Sequence, residues 1–240
     1  MRQFLGKIYD WIYGKTGVFD NIFFSLPVIL VVMLVYWFVR RALQKHKLGA
    51  EYKDIRRRVL LNEIIRLLFI GWIIGTVCVT LTPTYFWQGV WLNMVNGENI
   101  FQDVWRFSCE PPQLIPIAVD LIGQGHLDWL FHSKHLIIGL VVNVALFVPL
   151  GLALPFVFKK ISLLKAAVIG FSSSFLIELL QCFIDNRDSS IDDLICNTLG
   201  AVIGYLLYLL IKRLFPNFTE KGKTSANDLC PGTHEPKKSP

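Results

Sequence analysis

The sequence predicts an all-α fold, a polytopic membrane helical bundle with about five transmembrane helices. Hydrophobic residues make up 53% of the 240-residue chain and charged residues only 18%, which is far more apolar than a typical soluble domain. A helix needs about 20 mostly apolar residues to cross a bilayer core. Five stretches meet or nearly meet that requirement: roughly 22–39, 64–83, 135–158, 162–182 and 191–211. They leave no room for a large soluble domain.

Residues 1–60 are expected to hold an N-terminal segment, the first span and a basic loop. Apolar residues recur at helical spacing near the start: Phe4, Leu5, Ile8, Trp11 and Ile12. Residues 3–13 therefore form either a helix on the membrane surface or a frayed terminus. The first span runs directly into Arg40 and Arg41, which is typical of a retained span and not of a cleaved signal peptide.

The distribution of basic residues predicts the orientation, because Lys and Arg collect in cytoplasmic loops. Of the 24 Lys and Arg residues, segment 40–58 holds eight, turn 159–165 three, and the chain after residue 211 six. The sequence therefore predicts a multi-pass protein of the cell membrane, whose five spans place the N-terminus outside the cell and the C-terminus in the cytoplasm. Contact with anionic lipid explains the Arg56–Arg58 patch, so no nucleic-acid partner is expected.

A membrane domain is predicted over residues 61–213, and it includes an outer loop over 84–134. Four of the seven Trp residues fall in this loop, and Trp favours the headgroup zone. They are Trp87, Trp91, Trp105 and Trp129. Within the loop, residues 114–122 are apolar but too short to span, which indicates an interfacial or re-entrant segment. The rest of the chain, 214–240, is expected to be a disordered cytoplasmic tail.

Cysteines and histidines predict no metal and no cofactor. The five cysteines do not suggest a disulfide scaffold, although Cys109 and Cys182 are both expected outside and either pair or stay reduced. A possible metal-ligand set lies in the loop: His126, Asp128, His132 and His135. Its spacing matches no ligand motif, so histidines at headgroup level are the simpler interpretation.

Polar residues of the last three spans fall at one expected depth, in the outer half of the bilayer. They are Asn143, Glu178, Gln181, Asp192, Asp193 and Asn197, with Arg187 in the connection 183–190. An ionised carboxylate in hydrocarbon costs about 2.5 kcal/mol or more, so such acids face a bundle interior or a watery cavity and need a partner. Arg187 is the cation expected to fold back over Glu178 and the Asp pair.

Two interpretations of this polar cluster are open. One is a ligand-binding or otherwise functional site. The other is structural: the amides and Glu178 bond across helices, and Asp192 and Asp193 cap the fifth span. Gly200 and Gly204 continue the face of Asn197, where small residues let another helix approach closely.

Three segments resemble the signature of the VanZ-like family. They are NVALFVPLGLALP (143–155), IELLQCFIDNRDSSIDDLICNTLG (177–200) and GAVIGY (200–205). The matching positions are Asn143, Phe147, Pro149, Gly151, Glu178, Gln181, Arg187, Asp192, Asp193, Asn197, Gly200 and Gly204. The family's founding member lies among glycopeptide-resistance genes and is associated with low-level teicoplanin resistance without altered peptidoglycan precursors. The resemblance therefore implies a teicoplanin-resistance-type integral membrane protein.

Two functions are consistent with the sequence. The first is a non-enzymatic protein that binds an amphiphile at the outer leaflet, either a lipoglycopeptide antibiotic or a lipid-linked cell-wall precursor, among membrane lipids. The second is a membrane enzyme that uses Glu178 or Asp193 as general base on a lipid-linked envelope substrate. Transport ranks below both, because it needs a polar path across the whole membrane. The cytoplasmic half of the spans has few polar residues apart from Glu63 and Arg66, which can pair at i, i+3.

Overall fold

The structure, a computed structural model, describes residues 18–49, 52–83, 85–125, 134–158, 160–185 and 187–223. Over these ranges it contains eight helices and no strand. The helices are α1 (Val18–Leu48), α2 (Tyr52–Thr80), α3 (Phe86–Asn96), α4 (Ile117–Gly123), α5 (Lys134–Val157), α6 (Leu163–Gln181), α7 (Ile191–Leu214) and α8 (Pro216–Lys223). The predicted all-α fold is confirmed.

Five of these helices are long and apolar enough to cross a membrane: α1, α2, α5, α6 and α7. This confirms the five predicted spans and indicates a multi-pass membrane protein. Large apolar side chains such as Phe38 and Leu164 are exposed on these helices, which fits association with membrane lipids. Helices α1 and α2 extend beyond the predicted spans into segment 40–58 because its Lys and Arg residues are good helix formers.

The tail departs from its prediction, since residues 216–223 form α8 instead of disordered chain. Pro216 suits the first helical position, where its missing N–H is not needed. Thr219 and Gly222 of this helix are buried, and the Asn62 side-chain amide donates to the Gly222 carbonyl. Tertiary contacts therefore order a segment whose composition suggests disorder. Residues 3–13 and 224–240 lie outside the described residues.

The chain divides into two compact units. The first unit comprises Met1–Leu30, Ile73–Leu140 and Ser172–Ile195, and the second comprises Val31–Trp72, Val141–Phe171 and Cys196–Pro240. Each of the five spanning helices contributes one part to each unit.

In the first unit, the described part of loop 84–134, residues 85–125, is held by hydrogen bonds from tryptophans to helix backbone; Trp129 lies outside the described residues. Trp87 Nε1 donates to the Cys78 carbonyl at 2.8 Å, and Trp91 Nε1 donates to the Phe24 carbonyl at 2.9 Å. The apolar stretch 114–122 forms the short helix α4. Its interfacial location stays a prediction.

In the second unit, α5 and α7 pack with their backbones in close approach. A Cβ added at three glycines would lie almost on a carbonyl oxygen of the facing helix. The distances are 1.9 Å from Gly151 to Ala201 O, 2.2 Å from Gly200 to Val144 O, and 2.1 Å from Gly204 to Val148 O. The prediction that Gly200 and Gly204 admit a neighbouring helix is confirmed.

Candidate functional site

The polar connection between α6 and α7 is packed against loop 84–134 within the first unit. Gln113 bridges to this connection twice: its N–H donates to Ser189 O at 2.8 Å, and its carbonyl accepts from Ile191 N at 3.1 Å. The Glu110 N–H donates to Cys182 O at 3.1 Å. These bonds satisfy backbone groups that a buried connection would otherwise leave unpaired.

Glu178, near the end of α6, accepts hydrogen bonds from the residues that precede α7. Its side chain is only 7% exposed. Oε2 accepts from the backbone N–H of Ser190 at 2.8 Å, and the Ser189 hydroxyl also bonds to the carboxyl group. Asp193 lies close enough to interact with it electrostatically. A carboxylate at a helix N-terminus is favoured by the unsatisfied N–H groups there.

The side chain that caps α7 is not the one that the structural interpretation of the sequence predicted. Ser190 caps α7, because its Oγ accepts from the Asp192 N–H at 3.1 Å. The Asp192 carboxylate instead accepts from the N–H of Ile117, the first residue of α4, at 2.9 Å. The expectation that Asp192 caps the fifth span is therefore wrong: its side chain fixes the start of another helix.

Arg187 is also directed away from its expected partners. Its Nε donates to the Thr82 carbonyl at 2.8 Å, and its Nη2 donates to the Val79 carbonyl. The prediction that it folds over Glu178 and the Asp pair is wrong. The last carbonyls of α2, among them that of Val79, lack intrahelical partners and carry the negative end of the helix dipole. A guanidinium fork can bond one of these and the Thr82 carbonyl just beyond the helix at the same time. Burial lowers the pKa of the Arg187 guanidinium from its usual value.

Gln181 binds the same end of α2 but is only half satisfied. Its Nε2 donates to the Thr80 carbonyl at 2.9 Å. Its Oε1 is buried and has no hydrogen-bond partner among the described residues, and the same holds for Thr76 Oγ1, one turn earlier on α2. A buried polar atom without a partner costs about 1–3 kcal/mol. Both are therefore buried polar atoms of the first unit whose hydrogen-bonding capacity is not used by the described residues.

The seven candidate residues divide between the two units. Ser172–Ile195 of the first unit contains five of them: Glu178, Gln181, Arg187, Asp192 and Asp193. The other two, Asn143 and Asn197, belong to the second unit, where Asn197 is buried and Asn143 half-buried. The structure thus assembles the first five on one connection and the helix ends beside it.

Sequence reasoning missed several contributors to these contacts. The carbonyls of Val79 and Thr82 carry no sequence signal, but Ser189 and Ser190 do, because serines directly before an acidic helix start are typical caps. Tyr85, whose hydroxyl donates to Asp185 Oδ2 at 2.9 Å, was not predicted either.

The expected pairing of Glu63 with Arg66 is wrong. Glu63 forms an ion pair with Arg40 of α1, and Arg66 Nε donates to Asn62 Oδ1 at 2.8 Å. A partner on an adjacent helix therefore replaces the local i, i+3 pair. Periodicity along a single helix cannot indicate such a partner.

Cysteine and histidine chemistry adds nothing to this site in the part of the chain that the structure describes. Cys109 and Cys182 are both free thiols. No group of three or more potential metal ligands occurs among the described residues. His126, Asp128 and His132 lie outside those residues, as does the side chain of His135.

A family model described as VanZ/LLP1 matches residues 28–212 of the chain. The match covers well over half of the sequence and includes every candidate polar residue. No curated protein and no solved structure matches.

Proposed function

Since the chain belongs to the VanZ/LLP1 family, we propose that it confers low-level resistance to teicoplanin-type lipoglycopeptides by acting at the outer leaflet of the cell membrane. In this proposal it binds an amphiphile, which is the antibiotic or a lipid-linked cell-wall precursor. The polar part of the amphiphile contacts the cluster around Glu178 and Gln181. Its lipid tail lies against the apolar surface nearby.

The observation that carries this proposal is the buried, half-satisfied Gln181 beside the buried Glu178. A carboxylate and an unpaired amide oxygen are expensive in a membrane protein's interior, and such groups by default indicate a functional site. Gln181 Oε1 can accept from a hydroxyl or amide N–H. Sugars and peptides, the polar parts of both candidate amphiphiles, carry many such donors.

Exposed apolar side chains of loop 84–134 offer a surface for the lipid tail of the amphiphile. Phe107 is 81% exposed, and Phe101 and Leu114 are each 71% exposed. Apolar surface of this kind next to a polar site suits a molecule with a polar head and a lipid tail. A purely polar ligand would not need it.

The proposal requires the first unit to face outward, with the N-terminus outside and the C-terminus in the cytoplasm. The exposed free thiol of Cys109 provides a direct test. We expect an impermeant thiol reagent to label Cys109 in intact cells, while a cysteine introduced at residue 50 reacts only after permeabilisation. Cys109→Ser is the control that removes the first signal. Labelling of residue 50 in intact cells would overturn the orientation.

Drug susceptibility tests the function itself. Expressed in a susceptible Gram-positive host, the protein should raise the minimum inhibitory concentration of teicoplanin more than that of vancomycin, because only teicoplanin carries a lipid tail. Equal shifts for the two drugs would contradict binding through the tail. No shift for either would remove the resistance role from this member of the family.

A second function, catalysis on a lipid-linked envelope substrate, is favoured by one observation. Asp193 interacts electrostatically with Glu178, and neighbouring carboxylates can share a proton and so act as general acid and base. Mass spectrometry of lipid-linked precursors separates the two functions. A precursor whose mass changes on expression of this protein, and not of its Glu178→Gln variant, would favour the enzyme.

A further inference from the structure

A cavity in the second unit lies between the loop-side ends of α1 and α2. It is partly open, and its empty space of about 540 Å³ includes the open part. The residues that matter to its chemistry are Arg41, Gln44 and Tyr52 toward the loop, and Leu60, Ile64 and Leu67 farther along α2. None of them belongs to the polar cluster of the first unit.

The cavity presents one cation that is not neutralised by a described side chain. Arg40 and Glu63, which also line it, pair with each other through two hydrogen bonds, one of them 2.9 Å long. Arg41 instead lies over the ring of Trp37, 5.0 Å from its centroid, and no described carboxylate pairs with it. Its guanidinium is therefore positioned by the ring while its N–H groups remain able to bind an anion.

Gln44 adds a second donor to the same cavity. Its Nε2 is buried and has no hydrogen-bond partner among the described residues. It lies one turn beyond Arg41 on α1, so both side chains project from one helix face. A guanidinium and an amide N–H together match the oxygens of a phosphate.

The order of residues along the helices indicates what carries that phosphate. Donors occupy the loop end, and Leu60, Ile64 and Leu67 continue for roughly 10 Å along α2 at the helical rise. Leu60 and Ile64 are exposed. Phosphate followed by an apolar stretch is the order of groups in a phospholipid, whereas a soluble anion would not use the apolar part.

We propose that this cavity binds one anionic phospholipid, with its phosphate at Arg41 and Gln44 and an acyl chain along Leu60, Ile64 and Leu67. The eight Lys and Arg residues of segment 40–58 attract anionic lipid to this face of the membrane. The site does not depend on the function proposed for the first unit.

Lipid retention by the purified full-length protein tests the site. The protein is incubated in detergent with phosphatidylglycerol or phosphatidylcholine, and bound lipid is counted by native mass spectrometry. We expect one phosphatidylglycerol to be retained preferentially, and Arg41→Gln to reduce its occupancy about tenfold through loss of a charged hydrogen bond. Gln44→Leu, which keeps the charge, should reduce it less and serves as the test if Arg41→Gln does not fold.

Arg213→Gln is the matched control, because Arg213 is an exposed basic residue of the last turn of α7 and does not line the cavity. It should leave occupancy unchanged. An equal loss in this control would show non-specific attraction to basic residues and overturn the proposal. Equal retention of the two lipids, or displacement by millimolar inorganic phosphate, would also overturn it.

Discussion

Two regions of this molecule hold helices together in opposite ways. In the first unit, the connection between α6 and α7 is held by side chains that bond to backbone: Arg187 to the carbonyls of Val79 and Thr82, and Glu178 to the N–H of Ser190. In the second unit, α5 and α7 meet backbone to backbone at Gly151, Gly200 and Gly204. One region is rich in charged side chains, and the other places glycines against backbone carbonyls.

The two regions are expected to differ in which amino-acid substitutions they tolerate. A polar side chain can be replaced by one of similar shape that keeps the hydrogen bond, so the free energy of unfolding changes little. A backbone contact leaves no room even for a methyl group, because protein interiors are densely packed. Stability should therefore depend most on the glycines, whereas function should depend most on the polar connection.

The largest effect on stability is expected from Gly151→Ala. Its Cβ would lie 1.9 Å from the Ala201 carbonyl oxygen, so α5 and α7 must separate, at a cost of roughly 1–3 kcal/mol or more. We expect little monodisperse protein in fluorescence-detected size-exclusion chromatography. Gly139→Ala on the same helix is the control, since nothing lies within 4 Å of its added Cβ. Identical elution profiles for the two variants would contradict the close contact.

An intermediate effect is expected from Arg187→Lys. Lysine keeps the charge but loses the planar fork that bonds the Val79 and Thr82 carbonyls. Losing one charged hydrogen bond costs about 1.5–3 kcal/mol, which should lower the melting temperature by several degrees. Arg106→Lys is the control because the Arg106 side chain is exposed in loop 84–134. An unchanged melting temperature for Arg187→Lys would show that the two carbonyls do not need the fork.

The smallest effect on stability, and the largest on function, is expected from Glu178→Gln. Glutamine has the same shape and can still accept a hydrogen bond from the Ser190 N–H, so the free energy of unfolding should change by less than about 1 kcal/mol. If the carboxylate contacts a ligand, teicoplanin resistance should nevertheless be lost at equal amounts of protein in the membrane. Glu110→Gln, at an exposed position in the loop, is the control. Full resistance in Glu178→Gln would make the cluster structural and the site assignment wrong.

The five spans could be predicted from the amino-acid sequence alone, because a helix in hydrocarbon needs an uninterrupted apolar run that composition reveals. The sequence also predicted that another helix approaches closely at Gly200 and Gly204, because small residues in a span leave room for a neighbouring helix. The polar residues of the VanZ-like pattern could also be recognised as a set, because charged side chains are rare and costly in membrane spans.

The partner that each polar residue binds depends on the three-dimensional arrangement of the helices and could not be predicted from the sequence. Arg187 binds the carbonyls of Val79 and Thr82 and not the nearby carboxylates, Asp192 binds the N–H of Ile117, and Glu63 binds Arg40 of another helix. Contact with Asn62 likewise ordered α8, where composition suggested disorder. Most of these partners are backbone groups, which every residue carries alike. Their availability depends on where helices end and which segments meet, and residue identity does not encode that locally.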